Sequence, residues 1–283
     1  MTAIIGGLIA AACFSTALLS SARASRMIGA LPTLGGVMLV SALVALPVAA
    51  LTIGGSALSA AALPYLVIAG VGNVAGLGFE YVGFRSGKIG IVGALAAAEG
   101  AIAAMLSLLA GEVLGSIQLV GVAVVALGVV LVALGPDPTV DAGASSTRRA
   151  IIFGALAGLA FGASLYATGR IGSELAIGWA ILPPRIVGML FIVLPLLATQ
   201  RLRISRAAWP LVAISGVGEV GGFLAVAWGA RESIAVTSAL AAQFATVAAI
   251  VAWLVLAERL GRLQWAGVTG VALGVVLLAI GAA

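Results

Sequence analysis

Ten apolar runs, each about twenty residues long, follow one another along this chain, and that pattern leaves few folds open. They cover approximately 3–22, 31–53, 62–83, 88–110, 117–135, 150–169, 179–200, 208–229, 233–256 and 263–282. A helix needs about 20 apolar residues to cross the hydrocarbon core of a bilayer. Backbone placed there must satisfy its own hydrogen bonds, which leaves helices or closed barrels. The chain carries 14 basic and 9 acidic residues in 283, or 8% charged, where a soluble domain carries about a quarter. So few charges cannot wet a globular surface of this size, and a chain this apolar is not disordered either. The sequence therefore reads as an all-α integral membrane protein with ten transmembrane helices. The first run has no basic segment before it and has an internal counterpart, so it is kept as a span and not taken for a signal peptide. The longest hydrophilic stretch is the connector 136–149, which leaves no extramembrane domain to hold a soluble function.

The connector divides two similar halves, 1–135 and 150–283. Glu112–Gly135 matches Glu258–Gly281 at fifteen of 24 positions when shifted by 146, including Glu112/Glu258, Gln118/Gln264 and Gly121/Gly267. The same shift pairs Gly70-Val71-Gly72-Asn73 with Gly216-Val217-Gly218-Glu219, and Arg85 with Arg231. At 147, Gly7, Phe14, Leu18 and Arg23 fall on Gly154, Phe161, Leu165 and Arg170. Matched polar residues at a near-constant shift are not the chance likeness of two apolar segments. Each half holds five spans, an odd number, so two copies joined by a short loop cross the membrane in opposite senses. The expected architecture is two inverted five-helix repeats forming one integrated membrane domain, the arrangement of secondary transporters, whose site lies near the midplane between the repeats.

Charge in the loops orients the chain. One side collects Arg23, Arg26, Arg85, Lys88, Arg148, Arg149, Arg201, Arg203, Arg206, Arg259 and Arg262; the other has Arg170 and Arg231, with Arg185 if it sits at a helix start. The positive-inside rule puts the first set in the cytoplasm and both termini outside, in the periplasm for a bacterial inner membrane. The net charge of +5 thus reflects loop placement and does not call for nucleic acid. Several chemistries drop out. Without histidine there is no Ser-His-Asp triad and no imidazole metal site. Cys13, the single cysteine, excludes an internal disulfide and reads as a small buried hydrophobe. No Walker motif is present, so ATP does not drive the protein directly. Neither cofactor nor metal is expected.

A charge inside a span costs roughly 2.5–3.5 kcal/mol on insertion scales, so each one needs a partner or a watery cavity. Four qualify: Glu80, Glu99, Glu219 and Arg185. Glu99 is the deepest, eleven residues from either end of its span; it either lines the pathway, as an ammonium contact or a titrating group, or bridges helices. Glu219 is mid-span, and the repeat places Asn73 at the equivalent point of the third span. Asn73, Gly76, Leu77, Glu80, Tyr81 and Phe84 share one helical face, which either lines a cavity or packs on another helix. Arg185 follows Pro183-Pro184, which suits the first turn of a helix. It either snorkels to the outer interface or lines the outer mouth, meeting a substrate carboxylate or Glu219. Tyr81, Tyr166 and Trp228 are candidates for an apolar lining, whereas Trp179, Trp209 and Trp265 lie near span ends as interface anchors; Trp253 fits either role. Gly154, Gly158 and Gly162, with Gly7, Ala11 and Ser15 at the matching places, form a small-residue stripe for close helix packing or for bending, and Gly218/Gly222, Gly72/Gly76 and Gly270/Gly274 repeat it. Glu112 and Glu258 lie in loops, where they are expected to cap the last helix of each half.

These halves also carry a family likeness. Each closes with an acidic residue, Leu-Gly and a Gln-x-x-Gly helix: Ala257-Glu258-Arg259-Leu260-Gly261, Gln264 and Gly267 in the second, Gly111-Glu112, Leu114-Gly115, Gln118 and Gly121 in the first. This resembles the drug/metabolite transporter superfamily, in particular its EamA-like branch. The stretch from Arg185 to Leu194-Pro195 looks like that branch's second-helix pattern; in the first half Val37 replaces the arginine. Many relatives have a proline midway along the fourth span of each half, where this chain has Glu99 and Ala245. Within the superfamily the chain is most similar to bacterial amino-acid exporters of the aromatic type. The resemblance implies a secondary transporter that exports small zwitterionic metabolites, amino acids foremost, by alternating access and with the lipid bilayer as its other partner. Whether a proton gradient drives it stays open, as does the oligomeric state; a monomer suffices for the fold. The alternatives are a broad drug or metabolite exporter, a nucleotide-sugar carrier (which should show more basic residues within its spans), a gated channel, and an intramembrane enzyme, for which dispersed single glutamates supply no catalytic constellation.

Overall fold

A computed structural model of the chain describes residues 1–54, 58–86, 89–134, 144–244, 246–247 and 262–281. The apolar runs wind into helices, as backbone in hydrocarbon must. In chain order these are α1 (Thr2–Ile28), α2 (Ala30–Thr52), α3 (Leu63–Ser86), α4 (Ile89–Ala96), α5 (Glu99–Leu109), α6 (Ser116–Leu134), α7 (Ala144–Glu174), α8 (Gly178–Gly188), α9 (Leu194–Ala198), α10 (Trp209–Gly229), α11 (Ile234–Ala241) and α12 (Arg262–Gly281). A 3₁₀ turn, Ala60–Ala62, precedes α3, and a π-helical segment, Met189–Val193, joins α8 to α9. No strand occurs among the described residues. Six segments are long and apolar enough to cross a bilayer: Thr2–Ile28, Ala30–Thr52, Ala60–Arg85, Arg148–Glu174, Gly178–Ala198 and Trp209–Gly229. Shorter apolar helices occupy parts of the fourth, fifth and tenth expected spans. The far half of the expected ninth span lies outside the described residues, with Trp253, Glu258 and Arg259; Lys88 and most of the connector are also outside them.

Gly29 links α1 to α2 without a loop. Its φ of +96° is cheap for glycine and strained for any residue with a Cβ. Packing then runs mostly between the two halves. α1 lies against α10 and α11, α7 against α3, α4 and α5, α2 against α8 and α10, α5 against α11, and α6 against α12. Glycine makes these approaches possible. A Cβ at Gly158 would stand 2.3 Å from the Leu95 carbonyl oxygen, at Gly162 2.6 Å from Ile102, and at Gly154 3.0 Å from Leu95. Gly72 and Gly218 meet backbone oxygens of α7 and α1 at 2.7 and 2.8 Å, and Gly7 meets Leu240 and the Thr237 carbonyl on α11. Gly274 does the same on Gly121 and Val125, while Gly270 is looser, 3.6 Å from Gly128. Along α7 the stripe packs. That helix runs unbroken through Gly154, Gly158 and Gly162.

Three expectations about local structure change. The fourth span is not one helix with Glu99 at its centre. It breaks at Ala97-Ala98, and Glu99 is the first residue of α5. Ala97 N–H still donates to Gly93, but Ala98 N–H reaches back only three residues, to Leu95, before Ile102 resumes on Ala98. The same pattern recurs in the second half, where Ala242 donates to Ser238, Gln243 to Leu240, and Val247 to Gln243. A tightened turn interrupts the helix at both places with no proline. Next, Pro183 and Pro184 lie in the middle of α8, not in its first turn. Neither proline has an N–H to give to the helix ladder, and a π-helical segment, Met189–Val193, follows α8. Finally, α7 begins at Ala144, six residues inside the expected connector.

Two glutamates tie the halves together at the end of the bundle that holds the amino terminus. Gly111, at φ +98°, turns the chain after α5 and presents Glu112. Its carboxylate accepts from the hydroxyls of Ser107 and Ser233 and from the Ala235 N–H, at 3.2–3.3 Å. Glu112 therefore caps α11 in the other half, and not α6 as expected. At the start of α6 it is Gln118 that accepts, its Oε1 taking the N–H of Gly115, the residue before the helix, at 3.0 Å. Glu232 accepts from the amino terminus, the Thr2 hydroxyl and the Ala3 N–H. These donors, the terminal ammonium first, hold its carboxyl down to about 2.

Candidate functional site

Midway along the helices, five of them enclose a cavity of about 30 Å³. Four of the polar candidates read from the sequence line it: Asn73 and Glu80 from α3, Glu99 from α5 and Glu219 from α10. All four are buried. Asn73 and Glu219, equivalent in the repeat, face one another here; the Asn73 Nδ2 donates to Glu219 Oε2 at 3.3 Å. Asn73 Oδ1 has no hydrogen-bond partner among the described residues. Glu80 is not at an interface, as a packing role near the cytoplasmic end implied, but 4% exposed on the cavity wall. Glu99 reaches the cavity because the break before α5 puts it on a half-helix N-terminus, where the helix dipole favours a carboxylate.

Arg185 corrects the expectation of a snorkelling or mouth-lining residue. It is 1% exposed and the largest fully buried side chain. It lies seven residues into α8, about 10 Å along the helix from its start. Its guanidinium stands over the Phe223 ring, 5.5 Å from the centroid, and Phe223 is itself part of the cavity wall. Nε, Nη1 and Nη2 have no hydrogen-bond partner among the described residues. A buried guanidinium is costly unless it is paired. A cation–π contact of roughly 2 kcal/mol offsets only part of that cost, so the arrangement is poised for an anionic group.

The aromatic candidates scatter. Tyr81 is fully buried and stacks on Phe84, with ring centroids 6.3 Å apart, but does not reach the cavity surface. Tyr166 packs edge-to-face on Tyr65 and lines a separate cavity near the bundle's end. Trp228 is 38% exposed near the C-terminal end of α10. Trp179, Trp209 and Trp265 stand in the first turns of α8, α10 and α12. The aromatic lining is built instead from Phe14, Phe161, Phe223 and Phe244. Phe14 and Phe161 are repeat equivalents, and each lies flat on a glycine of the facing helix. A Cβ at Gly222 would stand 2.2 Å from the Phe14 ring, and one at Gly76 2.4 Å from the Phe161 ring. The signal was present in the matched pairs Phe14/Phe161 and Gly76/Gly222. The geometry supports holding a small charged solute among carboxylates, one amide and one guanidinium, with phenylalanine rings around it. At 30 Å³ the space admits a water or two.

Among the described residues no group of three or more potential metal ligands comes together. Six helices long and apolar enough to cross a bilayer, with a polar pocket between helices, mark a multi-pass membrane protein. Residues 1–134 match the EamA-like transporter family, a match that suggests a membrane transporter of the drug/metabolite type. The chain is also similar to a solved crystal structure of a protein with a TM-score of 0.75 and 14% identity, covering 98% of this chain and 96% of that one. At that identity the likeness speaks for the fold alone. No curated protein matches the sequence.

Proposed function

We propose that this transporter exports small zwitterionic metabolites, amino acids and particularly aromatic or hydrophobic ones, across the bacterial inner membrane. In this reading ten spans form two inverted five-helix repeats, 1–135 and 150–283, with both termini in the periplasm. The repeats rearrange around the midplane cavity in alternating access. One observation carries the reading: Asn73, Glu80 and Glu99 from the first half and Glu219 from the second converge on one cavity, with Arg185, which has no hydrogen-bond partner among the described residues, behind Phe223. Carboxylates suit a substrate ammonium, a guanidinium suits its carboxylate, and the phenylalanines suit an apolar side chain. Opening one end or the other must enlarge the cavity, because nothing of amino-acid size fits it as it stands.

Counterflow in proteoliposomes tests this. Vesicles are preloaded with an unlabelled amino acid panel, and uptake of labelled L-phenylalanine is followed with and without a pH gradient. Saturable counterflow that Glu99→Gln removes is expected. Survival without the gradient would make the protein a facilitator with Glu99 in the pathway, and dependence on the gradient would make Glu99 the proton carrier. No counterflow for any amino acid would overturn the substrate class.

A further inference from the structure

The central cavity is not the larger of the two. At the end of the bundle that holds the amino terminus lies a cavity of about 260 Å³, lined by Ser107, Glu112, Tyr166, Arg170, Glu232 and Ser233 among others. That is just under the range of about 300–1,000 Å³ typical of ligand pockets. The same elements build both cavities. α7 gives Phe161 and Leu165 to the central one and Tyr166 and Arg170 to the other; α5 gives Glu99 and then Ser107; α10 gives Glu219 and Phe223, and the turn after it gives Glu232 and Ser233. By helix rise the two lie about 10 Å apart along the bundle. In the layer between them the hydroxyls of Thr168 on α7 and Ser238 on α11 are buried, with no hydrogen-bond partner among the described residues. Polar groups therefore mark the way from one cavity to the other.

Charge in the outer cavity is arranged by sign. Arg170 is held in place, its Nη2 paired with Glu174 and its guanidinium over the Tyr65 ring at 5.5 Å. Its Nε is buried with no hydrogen-bond partner among the described residues, and the side chain, which lines the cavity, is 33% exposed. Glu112 and Glu232 provide the negative groups, fixed by the hydrogen bonds described above. Tyr166 adds an aromatic wall. A pinned guanidinium and fixed carboxylates around one space match the two ends of a zwitterion. We propose that this cavity is a second binding station on the transport path, at which Arg170 takes the carboxylate of a zwitterionic solute before or after it occupies the central site. The inference rests on the transport reading above and adds a place where the solute is held outside the central cavity.

The test uses the full-length protein in detergent with Cys13→Ser and a reporter, Ala110→Cys, at an exposed position on the cavity rim. Its rate of modification by a charged methanethiosulfonate is measured against L-phenylalanine and against L-phenylalaninamide, which has the same ring and no carboxylate. L-Phenylalanine is expected to protect the thiol and the amide not to. Arg170→Gln should raise the half-protecting concentration at least tenfold. Arg170→Lys keeps the charge but not the two-pronged donor and should shift it about threefold; that arm stands if the glutamine variant does not fold. Protection should survive Glu219→Gln, which disables the central site. Equal protection by the amide, indifference to both Arg170 variants, no protection at all, or protection lost with Glu219→Gln would each overturn the station. Absence of counterflow with Arg170-dependent protection intact would overturn the transport reading alone.

Discussion

Replacing Glu112 by alanine strips three donors of their acceptor at once: the hydroxyls of Ser107 and Ser233 and the N–H of Ala235. Bonds to a charged acceptor contribute roughly 1.5–3 kcal/mol when dry. This site is only partly buried, and screening brings each to about 1 kcal/mol. The closed arrangement of this end then loses about 3 kcal/mol. At 1.4 kcal/mol per tenfold, that raises the open population by about a hundredfold if opening separates the α5–α6 turn from α11. The assay is thiol modification of Leu165→Cys, in a Cys13→Ser background. Leu165 lines the central cavity and is 2% exposed, so the reagent reaches it only through an opened end. Glu112→Ala should speed modification between tenfold and a hundredfold. Ser107→Ala, which removes one of the three donors, should speed it about fivefold. A rate within about twofold of the parent would refute the reasoning, because the Glu112 contacts would then persist in the open state or the protein would open only at its other end.

Four further outcomes can be checked on the same preparation. Gly158→Ala puts a methyl 2.3 Å from the Leu95 carbonyl oxygen and must push α7 from α4 by about 1 Å, for about 1–3 kcal/mol of lost stability; Gly78→Ala, whose nearest neighbour is 3.8 Å away, should be neutral in the same unfolding assay. Asn73→Ala takes from the Glu219 carboxylate its one hydrogen-bond donor among the described residues and should cost about 1–3 kcal/mol, read by thermal unfolding, together with a loss of counterflow. Arg185→Gln removes a buried charge that has no hydrogen bond among the described residues, so the melting temperature should hold or rise while counterflow is lost; a clear fall in melting temperature would show the guanidinium to be tied into the fold. The Glu232 carboxyl is lowered from 4.5 to about 2, so its stabilising contacts are fully present above pH 4.5 and fade as the pH falls toward 2. Its side chain is 38% exposed, so the effect is roughly 1 kcal/mol after screening. Wild type and Glu232→Gln should differ at pH 7 and converge near pH 2.

How much of this was legible in the sequence follows from what a bilayer demands. Backbone in hydrocarbon has to hydrogen-bond within its own helix, so runs of apolar residues translated directly into α1–α3, α6, α7 and α10. The repeat gave the register of Asn73 and Glu219 because it matches polar residues, which are few. The faces of the helices were far less legible. In a water-soluble helix, polar and apolar residues separate by side; a chain that is 63% hydrophobic and 8% charged meets lipid and protein with the same residues. Hydropathy therefore did not distinguish Phe14 and Phe161 as cavity walls from Tyr81 as packing, or draw Trp228 out to the surface; only the repeat match singled out the two phenylalanines.

Spacing and composition determined a helical membrane protein in two related halves and a short list of costly buried groups. Tertiary structure alone decided which of those groups meet. Glu99 faces the cavity because a tightened turn at Ala97-Ala98 breaks its helix, although neither alanine signals a break. Arg185 is buried because α8 continues through two prolines where sequence suggested a helix start, and Glu112 caps a helix 120 residues away because the halves pack across one another. Each outcome depends on contacts between residues far apart in the chain, and the energies that select them arise only when the helices come together.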